Sequence, residues 1–484
     1  MQDAQQVQGT PQNHAQIIKP VTVVLLAIIV LAFAAIQLYT IPAAKNCIFE
    51  RFAEDQPGLR SLVSCFKPET VWPGLLMAQA VLLLAVIEAF YKSLSRLAEG
   101  VLASDRKTIL VLIAAVAVLT SFYLAKGDVL LGDAYVFQPA TGILKDALSE
   151  GVPHHSFYWY GGSSHFEYYG QLYFGLAAAA DFIFNNINLT IKILNWLLHI
   201  AAAVVVYLLV SELTSSKRAS FIAALAYSVS YEHIARIMLH GRLTNSAIYF
   251  LVPLLILLIE KSVNGKIKTA ATAAASASLT AAAIFLTNPG DGLFVLIPAA
   301  AYFGIRFVQL PQRRANIAKT AVLAGTLFLA MTSFWTVPFL LEKSAFNAGA
   351  RIGELTSTGF MPELFREMVS FPGQRNISPA YYLGALQIIF AFYAAAQILK
   401  QKRSRALMAL SFLAAITLIL ILFQSPRYVP VLVLAIAALA GIGSQLMAVK
   451  IKSAIKIATA DRIFIIFAAL IILDSAGSII HPDY

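Results

Sequence analysis

Val431-Leu-Val-Leu-Ala-Ile-Ala-Ala-Leu-Ala440 is the stretch that decides the fold, because it is apolar on every face of any regular element. Residues 23–36 have the same character, and stretches approaching the roughly 20 residues that span a bilayer recur along the whole chain. A transmembrane barrel would instead alternate polar and apolar residues over about 10 positions. The sequence therefore predicts an all-α polytopic membrane protein.

The composition agrees with a bilayer as the solvent. Hydrophobic residues make up 59% of the 484 positions and charged residues 13%, whereas soluble proteins carry roughly 25% charged residues. The net charge of +11 is dispersed in short runs between the apolar segments. Such runs are typical of cytoplasmic anchoring and not of a nucleic-acid-binding face. We therefore expect membrane lipid, and no nucleic acid, as a partner.

The charged loops predict the topology. Fourteen apolar segments alternate with six basic runs, and these runs share one side only if the short segment 171–184, interrupted by Asp181, fails to cross. About 13 transmembrane helices then remain. The chain is predicted to be a multi-pass protein of the cell membrane with a cytoplasmic N-terminus and an extracytoplasmic C-terminus.

Three regions follow from this count. Residues 1–19 form a cytoplasmic tail, and residues 20–107 form two additional N-terminal spans joined by an outer loop at 40–72. Residues 108–484 form the main transmembrane domain. Its outer loop, residues 126–189, is predicted to contain juxtamembrane helices, and it is far longer than ordinary connections, which marks it as a functional candidate.

Neither a metal ion nor a cofactor is indicated. Cys47 and Cys65 both fall in the first outer loop, where they form either a disulfide or two unpaired thiols. Two cysteines alone cannot form a zinc cage, and the chain has no zinc-ligand spacing, P-loop or dinucleotide-binding fingerprint. We therefore expect a site built without a metal or a cofactor.

Two carboxylates open the long outer loop. The chain reads Lys126-Gly-Asp128-Val-Leu-Leu-Gly-Asp133-Ala-Tyr135, and the pattern from Asp133 to Glu150 predicts an amphipathic helix. A carboxylate near a helix start is favoured by the positive end of the helix dipole. Asp133 and Asp128 are therefore either proton acceptors at the membrane surface or simple helix caps.

Aromatic and polar side chains fill the next part of this loop. Exposed rings beside acids suit sugar binding, because a pyranose presents apolar C–H faces to a ring and hydroxyls to polar groups. The alternatives are an aromatic belt at the membrane interface and, at Asn288, an ordinary Asn-Pro-Gly-Asp turn. A metal site formed by the histidines is a weaker alternative, because they lack the fixed spacing of metalloprotease ligands. The candidate substrate-binding residues are His154, His155, Tyr158, Trp159, Glu167, Tyr168, Tyr169 and Asn288.

The order of these motifs resembles that of the membrane glycosyltransferases with the GT-C fold. An acidic motif, a Gly-x-Pro turn, an aromatic segment and an apolar interfacial helix follow one another, with further matches at 231–245, Thr287-Asn288 and Pro426-Arg427. The sequence is similar in particular to the 6-pyruvoyl-tetrahydropterin synthase-related membrane proteins. The resemblance implies a GT-C-like domain over residues 108–484.

The same resemblance implies a reaction. A sugar would pass from a polyprenyl-phosphate donor to a glycan, lipid or protein acceptor on the extracytoplasmic face. Asp133 matches the position of the general base better than Asp128, because Gly132-Asp133-Ala-Tyr135 leads straight into the predicted helix.

A departing lipid phosphate requires neutralisation of its charge. Glu232, Arg236 and His240 are spaced by four and would share one face of a helix. The alternatives are an ion pair between Glu232 and Arg236, and an Arg427 that merely extends to lipid headgroups. The candidate phosphate-binding residues are Arg236, His240, Arg242 and Arg427.

Two other functions compete with a transferase. One is a transporter or flippase for a lipid or a polyol, which would place its ionisable groups at mid-membrane. The other is a noncatalytic membrane subunit of a cell-envelope glycan assembly complex, which would require a partner subunit. The polar cluster near the predicted outer surface favours the transferase.

Overall fold

A computed structural model gives the structure of the protein, and it describes residues 99–124, 134–150, 170–238, 240–265, 267–341, 383–401, 404–454 and 460–479. Within these residues the chain is helical and has no strand. The helices are α1 Asp105–Leu119, α2 Ala134–Glu150, α3 Leu172–Phe184, α4 Ile187–Thr214, α5 Lys217–Ser228, α6 Tyr231–Met238, α7 Thr244–Asn264, α8 Ile267–Thr287, α9 Pro289–Gln309, α10 Arg314–Leu341, α11 Ala385–Lys400, α12 Arg405–Phe423, α13 Val429–Ala454 and α14 Ala460–Ile479.

The helix lengths confirm the all-α polytopic fold class. Seven helices in the described part of the chain are long and apolar enough to cross a membrane, namely α4, α7, α8, α9, α10, α12 and α13. The first two predicted spans, the loop with Cys47 and Cys65, and the terminal tail lie outside the described residues. The total of about 13 spans and the division into three regions therefore stay predictions.

Basic residues gather at one end of the helix bundle. Arg313 Nη1 donates to the carbonyl of Asn264, 2.7 Å away, and Arg405 Nη1 donates to the carbonyl of Gln309, 2.6 Å away. Lys217 Nζ lies 3.2 Å from a backbone carbonyl just before α1. These contacts tie the end of α7 to the turn before α10, the end of α9 to the start of α12, and the start of α5 to the residues before α1. We call this end the basic end, and its assignment to the cytoplasm stays a prediction.

The opposite end is named the Asn288 end, because Asn288 joins α8 to α9 there. Helix α3 begins at this end, since a Cβ on Gly170 would lie 2.5 Å from the carbonyl oxygen of Thr287. Helix α3 also finishes at this end, because α4 starts directly after it and runs to Thr214 at the basic end. Helix α3 therefore does not cross, as the charge pattern of the sequence predicts.

Small residues of α13 hold the centre of the bundle together. A Cβ on Gly441 would lie 2.3 Å from the carbonyl oxygen of Ala219 in α5, and one on Gly443 would lie 1.9 Å from that of Phe390 in α11. The two glycines therefore let the α5 and α11 backbones touch α13. Close backbone approach of this kind is a main source of helix association in membranes.

Helix α5 differs from the span expected at residues 219–231. It has 12 residues and extends about 18 Å, less than the roughly 30 Å of a hydrocarbon core. Its side chains from Ala219 to Ser228 are buried, except for that of Phe221, which is half-buried. A broken helix is tolerated at membrane depth when neighbouring protein covers its ends, and α4 and α13 provide that cover.

Candidate functional site

The candidate site lies at the Asn288 end, and its first element is the turn between α8 and α9. Asn288 caps α9, because its side chain accepts a hydrogen bond from the Asp291 amide at 3.1 Å, and Pro289 occupies the first helical position. Its Nδ2 lies 3.5 Å from Thr244 Oγ1 at the start of α7. The cap fixes the Asn288 side chain, and a contact between Asn288 and a sugar stays a prediction.

The residue that follows the aromatic segment contacts the turn between α8 and α9. This residue, Gly170, packs against the backbone of Leu286 and Thr287, where any side chain would collide with a carbonyl oxygen. The seven candidate sugar-binding residues of the loop lie outside the described residues, so their role stays a prediction: His154, His155, Tyr158, Trp159, Glu167, Tyr168 and Tyr169.

The predicted amphipathic helix after the acidic motif is α2, which begins at Ala134. Ala134 is fully buried, and Phe137 packs against Phe174 of α3 with ring centroids 5.5 Å apart. The start of α2 is thus fixed by packing. Asp133 directly precedes this start, and both Asp133 and Asp128 lie outside the described residues.

Arg236 forms the ion pair that the sequence offered as an alternative. Its Nε lies 2.7 Å from Glu232 Oε1, and both side chains are almost completely buried. The Tyr249 hydroxyl also donates to Glu232, and Arg236 Nη2 lies 3.5 Å from the carbonyl of Pro426. Arg236 therefore supports the turn that carries Arg427, and a direct contact with a phosphate stays a prediction.

Arg427 is more exposed than Arg236, with 26% of its side chain exposed against 5%. Its Nη1 lies 3.9 Å from Asp291 Oδ1, and its guanidinium stacks 5.5 Å from the Phe294 ring. Ser425 Oγ accepts from the Arg427 amide at 3.3 Å and begins the turn. A guanidinium is planar and carries its N–H donors in a fork that matches the geometry of phosphate oxygens.

We expected Glu232, Arg236 and His240 to share one helix face, and this prediction is wrong for His240. Helix α6 ends at Met238, and the chain turns through Gly241, whose φ is +63°. The His240 amide donates to the carbonyl of Ala235 at 3.0 Å, which closes the helix end. His240 and Arg242 thus lie in a turn between α6 and α7, and their contact with a phosphate stays a prediction.

A column of stacked rings lies next to Glu232, and its only sign in the sequence is the single histidine His199 within the apolar segment 190–211. His233 stacks on Tyr249 with centroids 4.0 Å apart and on His199 with centroids 4.1 Å apart. His199 Nε2 lies 2.7 Å from the carbonyl of Ser228, and its Nδ1 lies 3.4 Å from the Tyr123 hydroxyl. Burial and the neighbouring His199 lower the pKa of His233.

The column joins two parts of the site. Tyr123 lies just before the acidic loop, and Glu232 lies beside Arg236. His199 lies within α4. Its two contacts, the Tyr123 hydroxyl and the Ser228 carbonyl, hold α4, α5 and the segment after α1 together.

Several buried polar atoms near the Asn288 end have no hydrogen-bond partner within the described residues. They are Ser230 Oγ, His233 Nε2, Thr287 Oγ1 and both side-chain polar atoms of Asn245. Buried polar atoms without partners are uncommon in native proteins. These residues lie between α5 and α6, in α6, at the start of α7 and at the end of α8, close in sequence to Arg236 and Asn288.

Solved structures define the class of the fold. ArnT from Cupriavidus metallidurans in its apo state matches with a TM-score of 0.55 at 12% identity, over 78% of this chain and 77% of that one. Its undecaprenyl phosphate complex gives a TM-score of 0.52 at 11% identity, with the same coverage. The archaeal oligosaccharyltransferase AglB from Archaeoglobus fulgidus, in complex with an inhibitory peptide and a dolichol-phosphate, gives 0.51 at 14% identity over 78% of this chain.

The chain spans 56% of the length of that oligosaccharyltransferase. At such identities the similarity establishes the fold, which is that of the GT-C membrane glycosyltransferases. None of the curated proteins compared with the chain matches it. Residues 166–479 match the model of the 6-pyruvoyl-tetrahydropterin synthase related domain, a membrane protein family. The chain belongs to this family, as its motifs indicated.

Proposed function

We propose that this protein is a membrane glycosyltransferase that takes a sugar from a polyprenyl-phosphate donor and transfers it to an acceptor on the extracytoplasmic face. The observation that carries the proposal is the position of Arg427. Its guanidinium lies at the Asn288 end, 3.9 Å from Asp291, on a turn that the buried Arg236 contacts. ArnT binds undecaprenyl phosphate and AglB binds a dolichol-phosphate, which are lipids of the proposed donor class.

The proposed reaction assigns a role to each side of the site. The Asp133 carboxylate accepts the proton of an acceptor hydroxyl or amide, and the acceptor atom forms a bond to the anomeric carbon of the sugar. The bond between that carbon and the phosphate oxygen breaks, and polyprenyl phosphate leaves as an anion. General-base catalysis of this kind contributes typically about 10²- to 10⁴-fold in rate.

The negative charge of the leaving phosphate is neutralised by the residues around Arg427, across the site from Asp133. Arg427 grips the phosphate oxygens of the donor, with Arg242 and His240 in the adjacent turn as further contacts. Arg236 maintains the position of the Pro426–Tyr428 turn through the Pro426 carbonyl. The aromatic loop ends at Gly170 beside Asn288, so its rings are suited to contact the sugar between the base and the phosphate site.

Purified wild-type protein in lipid nanodiscs should transfer sugar from at least one member of a panel of polyprenyl-phosphate sugars. Asp133→Asn keeps the size of the side chain and removes the proton acceptor, so the rate should fall about 10²-fold or more while donor binding is retained. Asp128→Asn should be milder. Full activity of the Asp133→Asn protein would overturn the assignment of the base.

The panel itself tests the reaction class. A wild-type protein that consumes none of the donors, and instead moves a labelled lipid or polyol between the two leaflets, would replace the transferase by a transporter.

A further inference from the structure

A second polar site lies at the basic end, far from Arg427. It is a cavity of about 800 Å³ between the ends of α4, α11 and α13 and the start of α12. Lys400 and Lys450 line it together with the amides of Gln397 and Gln445. We call it the lysine cavity. Nothing in the proposed transfer reaction uses it.

The lining of the lysine cavity separates into two chemistries. Lysine and glutamine side chains supply ammonium and amide donors, and no aspartate or glutamate is among its lining residues. Leu407, Ile442 and Leu446 supply apolar surface beside them. Lys450 Nζ lies 6.0 Å from the Tyr393 ring, which keeps the ammonium at the cavity. The lining of the cavity is thus suited to a molecule with an anionic head and an apolar body.

A neighbouring cavity provides a contrast. It has a volume of about 580 Å³ and lies on the other side of the end of α4, where Glu212 and Lys261 both line it. One carboxylate and one ammonium leave that Glu212 cavity without a net charge. Two cavities at the same end of the bundle, of similar size, therefore differ in their attraction for an anion.

We infer that the lysine cavity binds the phosphate headgroup of an anionic phospholipid, whose acyl chains pack on its apolar lining. Basic pockets between transmembrane helices are suited to phospholipid headgroups, and each lysine near such a headgroup increases the affinity about fivefold. Two lysines together should therefore contribute on the order of 30-fold. The site would fix α11 and α12 against α13 from the leaflet opposite to the proposed active site.

The test uses the full chain in detergent micelles with a fluorescent phosphatidylglycerol, whose binding is followed by anisotropy. Wild-type protein should bind this lipid at least tenfold more tightly than the matching phosphatidylcholine. The Lys400→Ala/Lys450→Ala variant should lose about 30-fold in affinity for phosphatidylglycerol, and Lys400→Arg/Lys450→Arg should retain it. Both lysines are exposed at the rim, so these variants keep the packed helices intact.

Lys261→Ala, in the Glu212 cavity, is the matched control and should bind phosphatidylglycerol as wild type does. Inorganic phosphate at millimolar concentration should not displace the lipid, because the apolar contacts are missing from it. Equal binding of the two lipids, unchanged affinity after removal of both lysines, or displacement by inorganic phosphate would each overturn the inference.

Discussion

Helix α7 contributes to a cluster of carboxylate, arginine and tyrosine near each of its ends, and the two carboxylates differ in the number of hydrogen bonds that they accept within the described residues. At the basic end, Glu260 accepts from Tyr302 at 2.7 Å, from Arg306 Nε at 2.7 Å and Nη2 at 3.1 Å, and from Asn264 at 2.9 Å. Arg306 also donates to Gln309 at 2.9 Å. We call this the closed cluster.

At the Asn288 end, Glu232 accepts from Arg236 Nε and from Tyr249. Arg236 Nη2 also lies 3.5 Å from the Pro426 carbonyl, and the side chain of Asn245 nearby has no hydrogen-bond partner within the described residues. We call Glu232, Arg236 and Tyr249 the open cluster. The same three residue types thus form a carboxylate with four hydrogen bonds at one end and, within the described residues, a carboxylate with two at the other.

The largest expected effect comes from breaking the closed cluster. Glu260→Gln leaves the buried guanidinium of Arg306 without its charge partner, which typically costs about 3 to 5 kcal/mol in the free energy of unfolding. Activity per folded molecule should stay at the wild-type level, because the cluster lies at the end opposite to Arg427. Thermal unfolding in detergent, combined with the transfer assay on the folded fraction, measures both quantities.

The matched change in the open cluster is Glu232→Gln. It should also destabilise the protein, but here donor binding should weaken as well, because Arg236 supports the turn of Arg427 through Pro426. Wild-type donor binding in the Glu232→Gln protein would show that the two clusters are equivalent structural links.

Arg427→Ala tests the exposed part of the Asn288 end. Loss of one charged hydrogen-bonded contact is worth about 1.5 to 3 kcal/mol, or on the order of tenfold to a hundredfold in affinity. Binding of undecaprenyl phosphate should weaken by this factor, and Arg427→Lys should lie between, because lysine keeps the charge but loses the planar fork. Unfolding should change little.

Arg314→Ala is the control for this loss. Arg314 stacks 5.8 Å from the Phe307 ring near the opposite end of α9, much as Arg427 stacks on Phe294. Its removal should leave lipid-phosphate binding unchanged. If Arg427→Ala and Arg314→Ala lost the same affinity for undecaprenyl phosphate, Arg427 would only contact lipid headgroups and would not bind the donor specifically.

The sequence predicted the helices well, because length and apolar content determine them. The segment expected at 269–287 is Ile267–Thr287, and the one at 171–184 is Leu172–Phe184. The segment at 219–231 was expected to be a span, but α5 ends at Ser228 after 12 residues, since an apolar run does not reveal that neighbouring helices cover a break near Ser230. Local pattern fixes where a helix forms, and tertiary contacts fix where it is interrupted.

Two local features near the candidate site were predicted, and the roles of the site residues stay predictions. The four-residue spacing of Glu232 and Arg236 indicated their ion pair, and the Asn-Pro-Gly-Asp sequence indicated the turn at Asn288. The stack of His199, His233 and Tyr249 was not predicted, because three rings on three different helices have no common signature in the sequence. A single histidine in an apolar segment was the only signal of the column.

A smaller effect should separate the two tyrosines. Tyr302→Phe leaves Glu260 with three other hydrogen-bond donors, so the free energy of unfolding should fall by less than about 1 kcal/mol. Tyr249→Phe leaves Glu232 with Arg236 Nε alone within the described residues, and the cost should reach about 1.5 to 3 kcal/mol. Thermal unfolding of the two variants side by side decides this, and equal costs would contradict the distinction between closed and open clusters.

The smallest expected effect is a pH dependence at the outer rim of the Asn288 end, where α2 packs against α3. Burial alone would raise the pKa of Asp181, but hydrogen bonds from the Lys145 ammonium at 2.7 Å and the Thr190 hydroxyl at 2.7 Å hold it below its ordinary value of 3.8. A depressed pKa stabilises the folded state above the pKa of the unfolded chain, and this stability is lost as the pH falls through the folded-state pKa. The unfolding midpoint of wild type should therefore exceed that of Asp181→Asn from pH 5 to 7, and the difference should shrink below about pH 4.

Lys145→Gln should remove part of the same difference, because it deletes the ammonium and leaves the Thr190 and Asn186 hydrogen bonds. A difference that stayed constant down to pH 3 would show that Asp181 acts through packing and not through its charge.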